Sequence, residues 1–154
     1  MADEISNEAN AAKQELTDLF KQMRLQVDVK VGAEDQERVL LEVDGDDAGF
    51  VIGKKGLTLD AVQYVINRIA AQKELLARAI HVDAAGYRSR RAEALTELAQ
   101  RLAEQARHTQ RPVRADPMPP HDRRIVHLAL ANETDLETLS EGEEPMRRVV
   151  IVVR

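Results

Sequence analysis

The 154-residue chain has no cysteine and no tryptophan. Disulfides, thiol catalysis and cysteine-ligated zinc or iron–sulfur sites are therefore excluded. Aromatic residues amount to 3%: Phe20, Phe50, Tyr64 and Tyr87. So few rings argue against the aromatic platforms on which many single-strand binders stack bases. The longest apolar run, Val149–Val153, is far short of the roughly 20 residues that cross a bilayer, so no membrane insertion is expected. The start, Met1-Ala2-Asp3-Glu4, is acidic and lacks the apolar stretch of a secretory leader. These absences point to the cytoplasm. Neither Gly-x-x-x-x-Gly-Lys-[Ser/Thr] nor Gly-x-Gly-x-x-Gly occurs. His121 and His127 suit no common zinc spacing, and Ser89 and Ser140 form no nucleophile arrangement with the histidines. Asp44, Asp46 and Asp47 lack the partners of a two-metal site. No catalytic residue, metal or cofactor is expected, and a hydrolase is the least favoured reading.

What is present suffices for a core. Hydrophobic residues make up 44% and charged residues 32%, enough for one ordinary domain or two small ones. The net charge of −5 is unfriendly to nucleic acid as a whole. Its distribution is uneven: residues 1–50 carry −8, residues 51–130 carry +6 and residues 131–154 carry −3. All four histidines (His81, His108, His121, His127) lie in the basic middle, which is where a polyanion would bind.

Periodicity divides the chain into elements. Ile5, Ala9, Ala12, Leu16, Leu19, Phe20 and Met23 form one helical stripe over 5–23. Leu25, Val27, Val29 and Val31 then alternate with polar residues, as do Val39, Leu41 and Val43, predicting a strand and its hairpin partner. Asp44–Asp47 is placed to cap a short helix near 47–52. Leu59, Val62, Tyr64, Val65, Ile66 and Ile69 mark a helix over 57–72, and Ala79–Asp83 a third strand. Ala84-Ala85-Gly86 reads as a joint. Beyond it come a long helix over 87–108, a proline-rich break at 111–120 that no helix crosses, and a helix over 119–131. A strand near 136–140, a Glu141–Pro145 turn and a strand over 147–153 complete the chain.

Two short motifs carry chemistry. Val51-Ile52-Gly53-Lys54-Lys55-Gly56 places two glycines three apart between helices. Such glycines let a backbone approach another chain without Cβ clashes. The following helix offers free N–H groups and the positive end of its dipole, a seat for phosphate. By itself the pattern also fits a plain turn. The second motif is Arg123-x-x-x-His127. At about 100° per residue, His127 and Arg124 fall on the same side as Arg123, while Ile125, Val126, Ala129 and Leu130 lie across from Arg124. The helix wheel therefore predicts a polar face holding Arg123, Arg124 and His127. Arg123 would offer a fork of donors for phosphate, and a nearby phosphate would favour charged His127. Arg88, Arg90 and Arg91 open the long helix, where the dipole disfavours cations. A bound polyanion would compensate them, as would Asp83 or Glu93.

The order αββ, short helix, Gly-x-x-Gly, helix, strand resembles a type II KH domain. Arg-x-x-x-His within Pro117–His127, with Gly86–Arg91 upstream and Ser140–Ile151 downstream, resembles the R-3-H domain. In this order, over residues 25–153, the two are similar to the bacterial Jag/KhpB family (EloR, SpoIIIJ-associated). The resemblance implies an α+β fold: an N-terminal helix at 1–24 leading into a KH domain at 25–85, then a small R-3-H domain at 86–154. It implies a non-enzymatic protein that grips single-stranded RNA as a chaperone or post-transcriptional regulator. Ile52, Gly53, Lys54, Lys55, Gly56, Arg88, Arg90, Arg91, Arg123, Arg124 and His127 are then the expected contact residues, with Ile52 flooring a groove for bases. A small single-KH partner of the KhpA kind, or a second copy, and links to cell elongation, division and cell-wall synthesis, are also implied. Two departures stand out. The sequence leaves no room for the Jag-N domain that often precedes the KH unit, and position 121 is histidine where the family suggests an aromatic ring. Single-stranded DNA binding on the same fold, and a protein adaptor working through its acidic ends, are the alternatives.

Overall fold

The structure is a computed structural model that describes residues 5–154. The acidic start, Met1–Glu4, lies outside the described residues. Two compact units result, residues 1–88 and 89–154.

The first unit is a three-stranded sheet with helices on one face. Helix α1 (Asn7–Gln22) begins where the Ser6 hydroxyl accepts the Ala9 N–H at 3.0 Å. Its stripe of Ala9, Ala12, Leu16 and Phe20 is buried in the same core as the sheet. Strands β1 (Asp28–Glu34) and β2 (Arg38–Asp44) pair antiparallel, and β3 (Ala79–Ala84) joins β2 in parallel, giving the order β1-β2-β3. The period of two aligns Val39 with Ile80, Leu41 with Val82 and Val43 with Ala84, and all six are buried. The parallel step is made by α2 (Ala48–Ile52), a single 3-10 turn (Lys54–Gly56) and α3 (Leu57–Gln72). Helix α3 buries Leu59, Val62, Ile66 and Ala70. Tyr64 and Val65 belong to the opposite side and are exposed, so they help to mark the helix without helping to build its core. Asp47 stands at the N-cap of α2 but makes no side-chain cap; its carboxylate accepts the Gln26 N–H at 2.6 Å instead.

Helix α4 (Tyr87–Thr109) contains the division between the units. The second unit adds β4 (Val113–Arg114), α5 (Pro120–Ala129), β5 (Leu136–Glu141) and β6 (Arg148–Val153), with β6 central in the order β4-β6-β5. Its core joins Leu95, Ala99, Ala103 and Ala106 of α4 to Val126, Leu130, Leu136, Val149 and Ile151. Strand β4 is hidden in the sequence because only two residues pair, inside the proline-rich break. That segment nevertheless follows β6: the Ala115 N–H donates to Val149 O at 2.9 Å and the Met118 N–H to Arg147 O at 3.2 Å. Pro120 fits the first turn of α5, where its missing N–H costs nothing. Among the described residues no helix is long and apolar enough to cross a membrane.

Because Ile66 is fully buried in the first core, Ile66→Ala is expected to cost about 2–5 kcal/mol of stability. Urea unfolding measures it, with the exposed Leu139→Ala as a variant that stays within about 0.5 kcal/mol of the parent.

Candidate nucleic-acid interface

The loop in the first unit is a product of sterics. Gly53 (φ 69°) ends α2, Lys55 is left-handed (φ 54°) and Gly56 (φ 75°) sits directly before α3. A Cβ on Gly53 would collide with Thr58 Oγ1, and one on Gly56 would stand 2.7 Å from Tyr87 Cε1. Both positions thus require glycine twice over, for φ and for space. Lys54 is exposed, Lys55 is half-buried, and Ile52 is half-buried against the core beneath the loop. The sixteen-residue α3 begins at the loop and delivers its dipole end there, although its first N–H, that of Leu57, already donates to Lys54 O. Phe50, Leu57 and Tyr64 expose apolar surface on α2 and α3. Two of the four rings therefore face water, which the low aromatic count alone did not disclose.

The arginines at the start of α4 differ from one another. Arg88 is held inside its unit: Nη1 meets Asp60 Oδ1 at 2.9 Å, Nε donates to Val82 O at 2.9 Å and Nη2 to Gln63 Oε1 at 3.2 Å. Asp83 accepts the Arg88 N–H at 3.2 Å, as a carboxylate at a helix start should. Arg91 directs Nε and Nη2 to Asp122 Oδ2 at 3.0 and 2.9 Å. The compensating charges are therefore Asp60 and Asp122, carboxylates distant in sequence. Arg90 is exposed.

Helix α5 corrects the predicted polar face. Its buried side is Asp122, Arg123 and Val126, with Leu130 just beyond its end. Arg123 is only 8% exposed; Nη1 donates to Met118 O at 3.0 Å and Nη2 pairs with Glu144 Oε1 at 2.7 Å. Its fork is filled from within, because the buried stripe is rotated toward Arg123 and includes charged residues that a hydropathy wheel assigns to water. Arg124 and His121 are exposed, and His127 is half-buried. An open pocket of about 420 Å³ gathers Arg123, Arg124 and His127 with Pro120, Leu128, Ser140 and Arg147. Arg147 is the residue that spacing missed, although it lies within the Ser140–Ile151 segment that carried the resemblance. Its Nε donates to Ser140 Oγ at 3.0 Å, Nη1 to Gly142 O at 2.8 Å and Nη2 to Ser140 O at 3.4 Å. These acceptors fix the guanidinium without neutralising it.

His127 Nδ1 is 2.7 Å from Thr138 Oγ1. Burial, and then the adjacent Arg123 guanidinium, hold the imidazole below its ordinary 6.5. Without a phosphate beside it the ring is therefore neutral at pH 7. Among the described residues no group of three or more histidines and carboxylates is placed to hold a metal.

A Gly-x-x-Gly turn between two helices, followed by an Arg-x-x-x-His pocket, defines a KH domain followed by an R-3-H domain. Family models agree: "KhpA/KhpB, KH domain" matches residues 10–82 and the R-3-H domain matches residues 93–152. The chain belongs to the KhpB family. It is 37% identical over 140 residues to the RNA-binding protein KhpB of Clostridium symbiosum, covering 90% of this chain and 63% of that protein. For the RNA-binding proteins KhpB of Bacillus subtilis and Lactiplantibacillus plantarum the identity is 35%, over 77% and 74% of this chain and 58% and 35% of theirs. The chain thus spans less than two thirds of the length of these relatives.

Two outcomes follow. Asp122 is 4% exposed, so Arg91→Met leaves a buried carboxylate without its cation; a loss of about 3 kcal/mol is expected in urea unfolding. For His127, a lowered folded value means that the unfolded chain binds more protons near and just below pH 6.5. Its contribution to stability is complete above 6.5 and is lost as pH falls through the folded value. The thermal midpoint should thus fall less between pH 7.5 and 5.5 in His127→Gln than in the parent.

Proposed function

We propose that this chain binds single-stranded RNA through two seats, one in each unit. The observation that carries the reading is the Gly53–Gly56 turn, whose glycines are fixed by sterics while Lys54 faces water at the start of α3. A phosphate backbone lies there against α3 N–H groups and Lys54 and Lys55, and bases lie toward Ile52. In the second unit, Arg124 and Arg147 supply charge and neutral His127 supplies a ring nitrogen. Arg90 adds charge at the start of α4; Arg88 and Arg91 act by positioning their surroundings. Each seat is weak alone, and joining them on one chain raises effective concentration.

The names of the relatives, all RNA-binding proteins, support RNA as the ligand. The reading extends to a cytoplasmic chaperone or post-transcriptional regulator connected with cell elongation, division and cell-wall synthesis. A single-KH partner fits the same picture. The matched KH model is shared by KhpA and KhpB, and Leu57, Tyr64 and Val65 on α3 offer an exposed apolar stripe for such a partner or a second copy.

The test compares single-stranded RNA and DNA of one length across a salt series. Affinity should fall steeply with salt, RNA should bind more tightly than DNA, and Lys54→Asp/Lys55→Asp and Arg124→Ala/Arg147→Ala should each weaken binding. Each double variant should flatten the log–log slope by about 1.4, two phosphates at about 0.7 each. Unchanged affinity in both folded variants overturns the two-seat reading. Equal or tighter binding of DNA transfers the site to DNA.

A further inference from the structure

Resting on that reading, we propose that Glu144 occupies the phosphate position on Arg123 and that a bound strand displaces it. Glu144 is therefore a built-in competitor that sets how strongly an anion must be held to enter the second seat.

Exposure is unequal across the Arg123–Glu144 pair. The Arg123 side chain is 10% exposed, whereas the Glu144 side chain paired with it is 52% exposed. A nearly buried cation thus takes its carboxylate from a surface turn, Glu143–Met146, all of whose residues are exposed. The other anchor of Arg123, Met118 O on Nη1, lies on the buried side and is neutral. Nη2 is the corner of the guanidinium that meets an anion, and a guanidinium binds a phosphate with the same donor geometry that it offers a carboxylate. Arg123 also lines the pocket that holds Arg124, His127 and Arg147.

Charge accounting gives the consequence. With Glu144 in place, Arg123 is neutralised and the pocket presents Arg124 and Arg147. With Glu144 displaced, three guanidinium groups face one site. A free anion has to compete with a tethered carboxylate at high effective concentration. A strand held by neighbouring contacts bears that competition more easily, so the exchange selects for extended polyanions over small ones. In its released position Glu144 is fully hydrated, and Arg123 keeps its bond to Met118 O.

The test uses the full chain with Glu144→Gln, which retains size and hydrogen-bonding capacity but removes the charge. Single-stranded RNA should bind three- to tenfold more tightly. The salt slope should steepen by up to about 0.7, one phosphate's worth for a single strand. Inorganic pyrophosphate should raise the thermal midpoint of the variant more than that of the parent. In an Arg123→Gln background the same change should have no effect on RNA affinity; if Arg123→Gln does not fold, the pyrophosphate comparison decides. Weaker or unchanged RNA binding by folded Glu144→Gln, with no added response to pyrophosphate, overturns the proposal and makes Glu144 a structural partner of Arg123. If the parent binds no RNA, the two-seat reading fails independently, and the pyrophosphate comparison alone judges Glu144.

Discussion

Asp122 has nowhere to put its charge except on Arg91. It is 4% exposed, and a carboxylate so placed is tolerated only with a cation and hydrogen bonds around it. Arg91 meets that demand with two donors on one oxygen. The consequence passes along α5. With Asp122 and Val126 turned inward, Arg123 sits at the margin of the buried stripe, and Arg124 and His127 are left at the pocket. Among the described residues no buried side-chain nitrogen or oxygen lacks a hydrogen-bond partner, so the polar interior of this small unit is fully satisfied. Along the Arg-x-x-x-His spacing, Arg123 is thus held by Met118 O and Glu144, His127 borders the opening, and Arg124 between them is the exposed charge.

The first unit obeys a different constraint, closeness of backbone. The turn at Lys54–Gly56 brings Gly53 against Thr58 and Gly56 against Tyr87, so no side chain fits at either glycine. The beginning of α3 is thereby set relative to β3. Further along, Gln63 and Asn67 reach the strand: Gln63 Oε1 accepts the Val82 N–H at 2.9 Å and Asn67 bonds both the Ile80 N–H and C=O. Arg88 takes Val82 O. The outer edge of β3 is covered by side chains, which protects it from pairing with another strand. The residues that hold α3 in place are thus those that close the sheet.

Most of the elements were legible because burial is one-sided. The switch from a period of about 3.6 to a period of two near Leu25, and back again at Leu57, follows directly from helices that cover one face of a sheet. What periodicity could not deliver were features fixed by long-range charge. Arg123 reads as polar and is buried, because Glu144, its charged partner, arrives from a distant turn that no local pattern announces. Tyr64 and Val65 count among the apolar residues that mark α3, yet both are exposed. The ends of α1 and α3 were given by the loss of periodicity, while the positive φ of Arg24 and Glu74 just beyond them was not, because no glycine marks it. At the site, the Gly-x-x-Gly turn was fully legible, since its residues are contiguous. Arg147 and Glu144 arrive from another turn, and spacing was silent about both.

The charge pattern also gains meaning from the pairings. The basic middle of the chain is where binding was expected, yet many of its arginines are committed. Arg78 is held by Glu8 and Glu34, Arg107 by Glu104, Glu133 and Asp135, and Arg114 by Glu141. The acidic ends supply most of those partners, so net charge per segment counts the same interaction twice with opposite signs. What a polyanion meets is the remainder. Lys54, Arg68, Arg101, Arg111 and Arg124 are exposed and form no ion pair among the described residues. Lys54 lies in the Gly-x-x-Gly turn and Arg124 at the α5 pocket, which Arg147, anchored only by neutral acceptors, also lines. Exposed pairs contribute little to stability. Their effect here is subtractive: by consuming cations, they reduce the free charge of the basic middle to a few residues, with Lys54 and Arg124 among them.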